Sequence, residues 1–189
     1  ACGFALLFGI RSNLVETHTP NTSQHPLRQL ASSFREYFSH RQSLFGLLLL
    51  ALTPAGSMSV IAVSAALTVE IYGFSITQYG LIFACAGISI LAGATANRWL
   101  VIHFEIMSLI KLGVTLICTA SAQLVVVAWL DAAPFWWVWC CVCIYMFTIA
   151  ILMPNVTVLA LDPLPKIAGV ASSIIGTTQN VAGASGAIL

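Results

Sequence analysis

In a chain that is 59% hydrophobic and only 7% charged, the side chains able to bind a polar solute or move a proton can be weighed one by one. Asn155, Gln179 and Asn180 are amides set deep in apolar runs, with Gln123 the other such case. A buried amide is costly in hydrocarbon unless it finds a partner or faces water. The three are therefore candidates to line a solute cavity, and hydrogen bonds between helices would satisfy them equally well. No carboxylate lies in the middle of an apolar run: Glu70, Glu105, Asp131 and Asp162 all fall at ends. Exchange of a solute for protons needs an ionisable group within the cavity, so that group is expected outside this stretch of sequence. Gly93, Asn97 and Arg98 close another apolar run. There the glycine permits close helix approach, and the arginine can clamp the carbonyls or a carboxylate at a neighbouring helix end. A plain cationic anchor is the other reading of Arg98. Gly169, Gly176 and Gly183 recur every seven residues and read as a seam for helix packing. Pro54 and Pro154 remove backbone donors inside apolar runs and are expected to bend their helices. Cys140, Cys141 and Cys143 have no histidine near them and read as small hydrophobes. No metal site, cofactor or enzyme constellation of paired acids, Ser/His or His/Asp is found.

The elements that must position these residues are membrane spans. A water-soluble fold of 189 residues cannot hide so much apolar surface, and a crossing needs about 20 mostly apolar residues. Residues 44–69, 78–101, 107–130 and 134–161 satisfy this, and residues 167–189 read as a fifth span. The runs are continuously apolar rather than alternating, so helices and not a barrel are expected. Residues 1–10 read as the end of an earlier span. Residues 11–43 form a polar loop holding a candidate interfacial helix, with Leu27, Leu30, Phe34 and Phe38 striped among Arg28, Arg35, Glu36 and Arg41. Trp129, Trp136, Trp137 and Trp139 read as an aromatic belt. His18, His25, His40 and His103 are expected in solvent or at the interface. The chain starts at Ala1 without a methionine and stops at Leu189 in an apolar run, and is expected to be a piece of a longer protein.

Orientation follows from the seven Lys and Arg residues. Arg11, Arg28, Arg35 and Arg41 precede the first full span, Arg98 and Lys111 flank the second connection, and Lys166 lies in the fourth. The alternate connections carry only Glu70 and Asp131. The basic side is expected to be cytoplasmic.

Several stretches resemble the major facilitators in order along nearly the whole chain. Gly93-x-x-x-Asn97-Arg98 is similar to their signature of glycine, an acid and arginine between two helices, with Asn97 in place of the acid. Met153-Pro154-Asn155 followed by Asp162-Pro163 and Ala168-Gly169-Val-Ala-Ser-Ser-Ile-Ile-Gly176 resembles the bicyclomycin/chloramphenicol resistance (Bcr/CflA) branch around its tenth and eleventh spans. Ser64-Ala-Ala-Leu-Thr-Val-Glu70 and Val15-Glu16-Thr17 resemble its seventh span and the segment after its sixth, although Ala65-Ala66 stands where the branch has Pro-Phe. The resemblance implies an all-helical bundle holding the end of span six and spans seven to eleven. It also implies a bacterial inner-membrane antiporter that exports amphipathic drugs, conferring antibiotic resistance. Its partners would be protons, a small-molecule substrate, the bilayer and an amino-terminal half carrying the proton site. A metabolite carrier on the same fold is the alternative.

Overall fold

The computed structural model describes residues 26–130 and 133–188, so the expected end of an earlier span at 1–10 and the loop up to residue 25 lie outside the described residues. The apolar runs fold as helices because a bilayer core leaves backbone N–H and C=O groups no partner except one another. α1 spans Pro26–Ser39, α2 Arg41–Ala66, α3 Ile76–His103, α4 Ile106–Ala128, α5 Phe135–Leu161 and α6 Ala168–Ile188. A π-helical turn, Leu67–Ile71, extends α2, and a 3-10 turn, Pro165–Ile167, precedes α6. Four helices are long and apolar enough to cross a membrane: Arg41–Ile71, Ile76–His103, Ile106–Ala128 and Phe135–Leu161. α6 has 21 residues, with serine, threonine, glutamine and asparagine among them. No strand occurs among the described residues.

Each break has a local cause. Gly73 turns the chain after the π-helical segment with φ of 72°, a left-handed conformation that costs glycine little because it has no Cβ. Ser75 then caps α3: its hydroxyl accepts the Gln78 backbone N–H at 3.2 Å, and the Gln78 side chain accepts the Ser75 N–H at 2.8 Å. This capping box satisfies two amide donors that a helix start leaves orphaned. Pro163 and Pro165 separate α5 from α6.

α5 is the most buried helix and packs against α2, α3 and α4, while α2 also packs against α6. Small residues set the spacing. A Cβ on Gly46 would come within 2.7 Å of the Ala160 Cβ, and one on Gly113 within 2.9 Å of a Leu152 methyl. At one end of the bundle Ser43 donates to the Ala160 carbonyl at 2.9 Å and Gln42 to the Leu159 carbonyl at 3.0 Å. At the other end Tyr72 donates to the Ala133 carbonyl at 3.0 Å, and the rings of Tyr72 and Phe74 pack on Phe135. Arg41, Arg98, Lys111 and Lys166 all lie toward the first of these ends by helix polarity.

Trp139 departs from the expected belt. Trp129, Trp136 and Trp137 are exposed, but Trp139 is buried, stacks on Phe135, and donates to the Ile82 carbonyl at 3.0 Å. Helical pitch explains this: Phe135, Trp139 and Val142 share one face, and that face meets α3. Both intrahelical prolines lie within unbroken helix assignments. Near Pro54 the hydroxyls of Thr53, Ser57 and Tyr145 bond the carbonyls of Leu49, Pro54 and Thr53, so side chains supply donors around the residue that lacks one.

Candidate functional site

Two regions hold the polar residues singled out above. The first is the seam between α3 and α5. Gly93 is buried there, and a Cβ on it would collide with the Phe147 carbonyl oxygen and reach the Ala150 Cβ at 3.0 Å. One turn further along α3, Asn97 accepts a hydrogen bond from the Asn155 amide at 2.7 Å. The same Asn155 nitrogen donates to the Ile151 carbonyl, also at 2.7 Å. Ile151 is the residue whose carbonyl an unbroken helix would pair with the Asn155 backbone, so its oxygen takes a side-chain donor from the position after Pro154. Asn155 is only 4% exposed. Its amide is thus spent within the bundle, between helices.

Next to it, Arg98 is exposed and has no ion pair or hydrogen bond among the described residues. The Gly93–Arg98 stretch therefore separates by face. Gly93 and Asn97 look inward to α5, and Arg98 looks outward from the charged end of the bundle.

The second region lies between α2 and α6. A cavity of about 330 Å³ is lined by Pro54, Met58, Met153, Gln179, Asn180, Gly183 and neighbouring alanines of α6. Its wall is apolar apart from the two amides. Asn180 donates to the Gly176 carbonyl at 2.8 Å, leaving its oxygen free to accept. Gln179 is half-buried and has no hydrogen bond among the described residues. Gly183 lets α6 approach, with Met58 and Pro54 at 3.4 and 3.8 Å from where its Cβ would stand. Gly186, which the sevenfold spacing passes over, makes the tightest approach of α6: its Cβ would collide with the Ala55 carbonyl. Ser59 bonds the Gly186 carbonyl beside it.

The structure therefore brings together Gln179, Asn180, Gly183 and Pro54, and separately Gly93, Asn97 and Asn155. Asn155 does not line the cavity of the other two amides. Gly169 and Gly176 have open space where a Cβ would stand. The buried positions of that part of α6 are Ala171, Ile174 and Ile175, and Gly176 follows about 100° further round the helix. Met153 was missed from sequence. No signal in the sequence marked it, because a methionine in an apolar run is assigned to a face only by rotation about the helix axis. No group of three or more His, Cys, Asp or Glu suited to a metal ion occurs among the described residues.

Several apolar helices that each cross a bilayer, packed around one buried helix with a polar-spotted cavity at its edge, define a multi-pass membrane protein of transporter architecture. A family model described as Major Facilitator Superfamily matches residues 1–187. The chain belongs to this superfamily, which is made up of transporters. Comparison with curated proteins gave no significant match.

Proposed function

We propose that this chain is part of a carrier that exports small amphipathic drugs in exchange for protons by alternating access. The observation that carries this reading is the composition of the α2–α6 cavity. Met58, Met153, Pro54 and small residues of α6 line it, with two neutral amides and no charge. Methionine side chains are flexible and polarizable, which suits an apolar solute of variable shape. Gln179 and Asn180 can orient such a solute by one or two hydrogen bonds. A carrier of sugars or amino acids would need denser polar or charged contacts here. The Bcr/CflA resemblance in α5 and α6 supports the same choice.

No carboxylate lies in the middle of a span among the described residues, Glu70 standing one residue from the end of Arg41–Ile71, so the proton-titrating group belongs to an amino-terminal half that also closes the cavity. Two helical bundles then rock about the central site, in a bacterial inner membrane with the Arg- and Lys-bearing end in the cytoplasm. The test is accumulation of a fluorescent amphipathic cation in efflux-deficient cells expressing the full-length protein that contains residues 1–189. Uncoupler-sensitive exclusion of the dye is expected, with its selectivity changed by Gln179→Ala. Dye accumulation equal to that of empty cells, together with uptake of a polar metabolite, would replace this reading with the metabolite carrier.

A further inference from the structure

The three faces of α1 differ in chemistry, and only one is occupied by the bundle. Tyr37 is fully buried, packs into the cluster containing Leu164, Ile110 and Ala171, and its hydroxyl approaches the Ser43 carbonyl at 3.4 Å. Ser33, one turn earlier on the same face, is also buried. About 100° per residue round the helix, Phe34 and Phe38 form a second face, and they are 42% and 50% exposed. Arg35 forms a third edge beside the phenylalanines, and it is exposed. Glu36 lies away from that edge, on the far side of the helix. The helix ends at Ser39, and a helix long and apolar enough to cross a membrane begins at Arg41, so the C-terminal end of α1 lies within two residues of the start of a span.

We propose that α1 is a docking surface for anionic phospholipid. Phe34 and Phe38 insert among the acyl chains beside the bundle, Arg35 binds a headgroup phosphate beside them, and Tyr37 fixes the roll angle that presents these faces. The commitment to lipid, rather than to a protein partner, rests on three points. The apolar face is flanked on one edge by the Arg35 cation, which matches the apolar-below, phosphate-beside layering of a leaflet. The opposite edge is already taken by the bundle through Tyr37. The position is continuous with the start of a span. A zwitterionic bilayer satisfies the phenylalanines alone, so headgroup charge decides how fully the helix docks. A basic side chain near an anionic surface strengthens binding about five-fold, the gain expected from Arg35.

The test is hydrogen–deuterium exchange of Pro26–Ser39 in the full chain, reconstituted in nanodiscs of phosphatidylcholine, or with a third of it replaced by phosphatidylglycerol. Exchange of α1 is expected to slow by about five-fold in the anionic discs, while α5 peptides stay unchanged and report an intact bundle. Arg35→Gln should remove the dependence on phosphatidylglycerol. Phe34→Ser with Phe38→Ser should deprotect α1 in both discs. Adding inorganic phosphate to the phosphatidylcholine discs should not reproduce the slowing, because the apolar face needs a membrane under the phosphates. Protection that is the same in both lipids and indifferent to Arg35 would overturn the proposal. Slowing by free phosphate would overturn it in favour of a soluble anion site.

Discussion

The α3–α5 seam and the α2–α6 seam are both built on glycine, yet they do different things with it. In the first, Gly93 brings two backbones together and the space beyond is filled by a hydrogen-bonded pair, the half-buried Asn97 and the buried Asn155. In the second, Gly183 and Gly186 draw the helices together on one side, while Gln179 and Asn180 border an open cavity on the other. A closed seam and a half-open one meet at neighbouring residues of α5, since Met153 faces the cavity and Asn155 faces the pair. The lesson is that an amide in an apolar run does not announce its use. A residue's neighbour two positions away, about 200° round the helix, decides between a strut and a binding contact.

Gly93 gives the largest expected difference between the seams. Gly93→Val must push α3 away from the Phe147 carbonyl, which belongs to rigid backbone and cannot rotate aside. Overpacking of this kind typically costs about 1–3 kcal/mol, occasionally more, and the Asn97–Asn155 bond is expected to break with it. Gly176→Ala, which enters open space, should be neutral or gain up to about 1 kcal/mol from helix propensity. Thermal unfolding of the two variants in detergent checks the contrast, and equal melting temperatures would mean that the α3–α5 contact is not tight.

A smaller loss is expected at the amide pair itself. Asn155→Ala removes the donor to both Asn97 and the Ile151 carbonyl and leaves an acceptor buried, at about 1–3 kcal/mol. Asn97→Ala should cost less, because the Asn155 amide keeps its bond to Ile151. A double-mutant cycle in thermal stability should return a coupling of roughly 0.5–3 kcal/mol. A coupling of zero would make the two amides independent and reopen Asn155 as a cavity residue.

These two cases also mark what was readable in the sequence. The helical class and the order of elements follow from apolar runs and the placement of Pro163, Pro165 and Gly73, because lipid leaves the backbone few choices. The partners of single polar residues are set by rotation about the helix axis, which hydropathy along the chain hardly constrains when every face is apolar. For this reason Trp139 falls in the core though its neighbours Trp136 and Trp137 do not, and Gly186 packs where Gly169 and Gly176 do not. The pairing of Asn97 with Asn155 crosses 58 positions. The spacing within either helix alone cannot reveal it.

On the open seam, Gln179→Ala and Asn180→Ala should change transport more than folding. Gln179 has no hydrogen bond to lose among the described residues, and Asn180 is exposed and bonded only within its own helix. Stability is expected to change by no more than about 0.5 kcal/mol, as for ordinary surface positions. The pair substitution should shift the concentration of drug giving half-maximal efflux, without a fall in protein abundance. Matching losses of abundance and efflux would show that these amides hold the helix together, as Asn155 does.

Arg98 is expected to give the smallest effect on folding and the cleanest separation of roles. It is exposed and unpaired among the described residues, so Arg98→Ala should leave stability within about 0.5 kcal/mol of the parent. Topology should hold as well, because Arg11, Arg28, Arg35, Arg41 and Lys166 still bias orientation. If Arg98 only anchors, efflux should equal that of the parent. If it clamps a helix end of the opposite bundle in one state of the cycle, losing it destabilises that state alone, and the transport rate should fall while abundance stays constant. The clamp is the expected outcome. Arg98 stands immediately beyond the locked Asn97, on a helix end that Gly93 and the amide pair hold rigidly to α5, so its charge is presented outward from a fixed base. Arg98→Lys discriminates further, since a compact ammonium keeps the anchoring charge but not the planar fork that spans two carbonyls or a carboxylate. Efflux restored fully by lysine would reduce Arg98 to a simple positive charge. Partial restoration would support recognition of a helix end, and unchanged efflux in the alanine variant would remove Arg98 from the transport cycle.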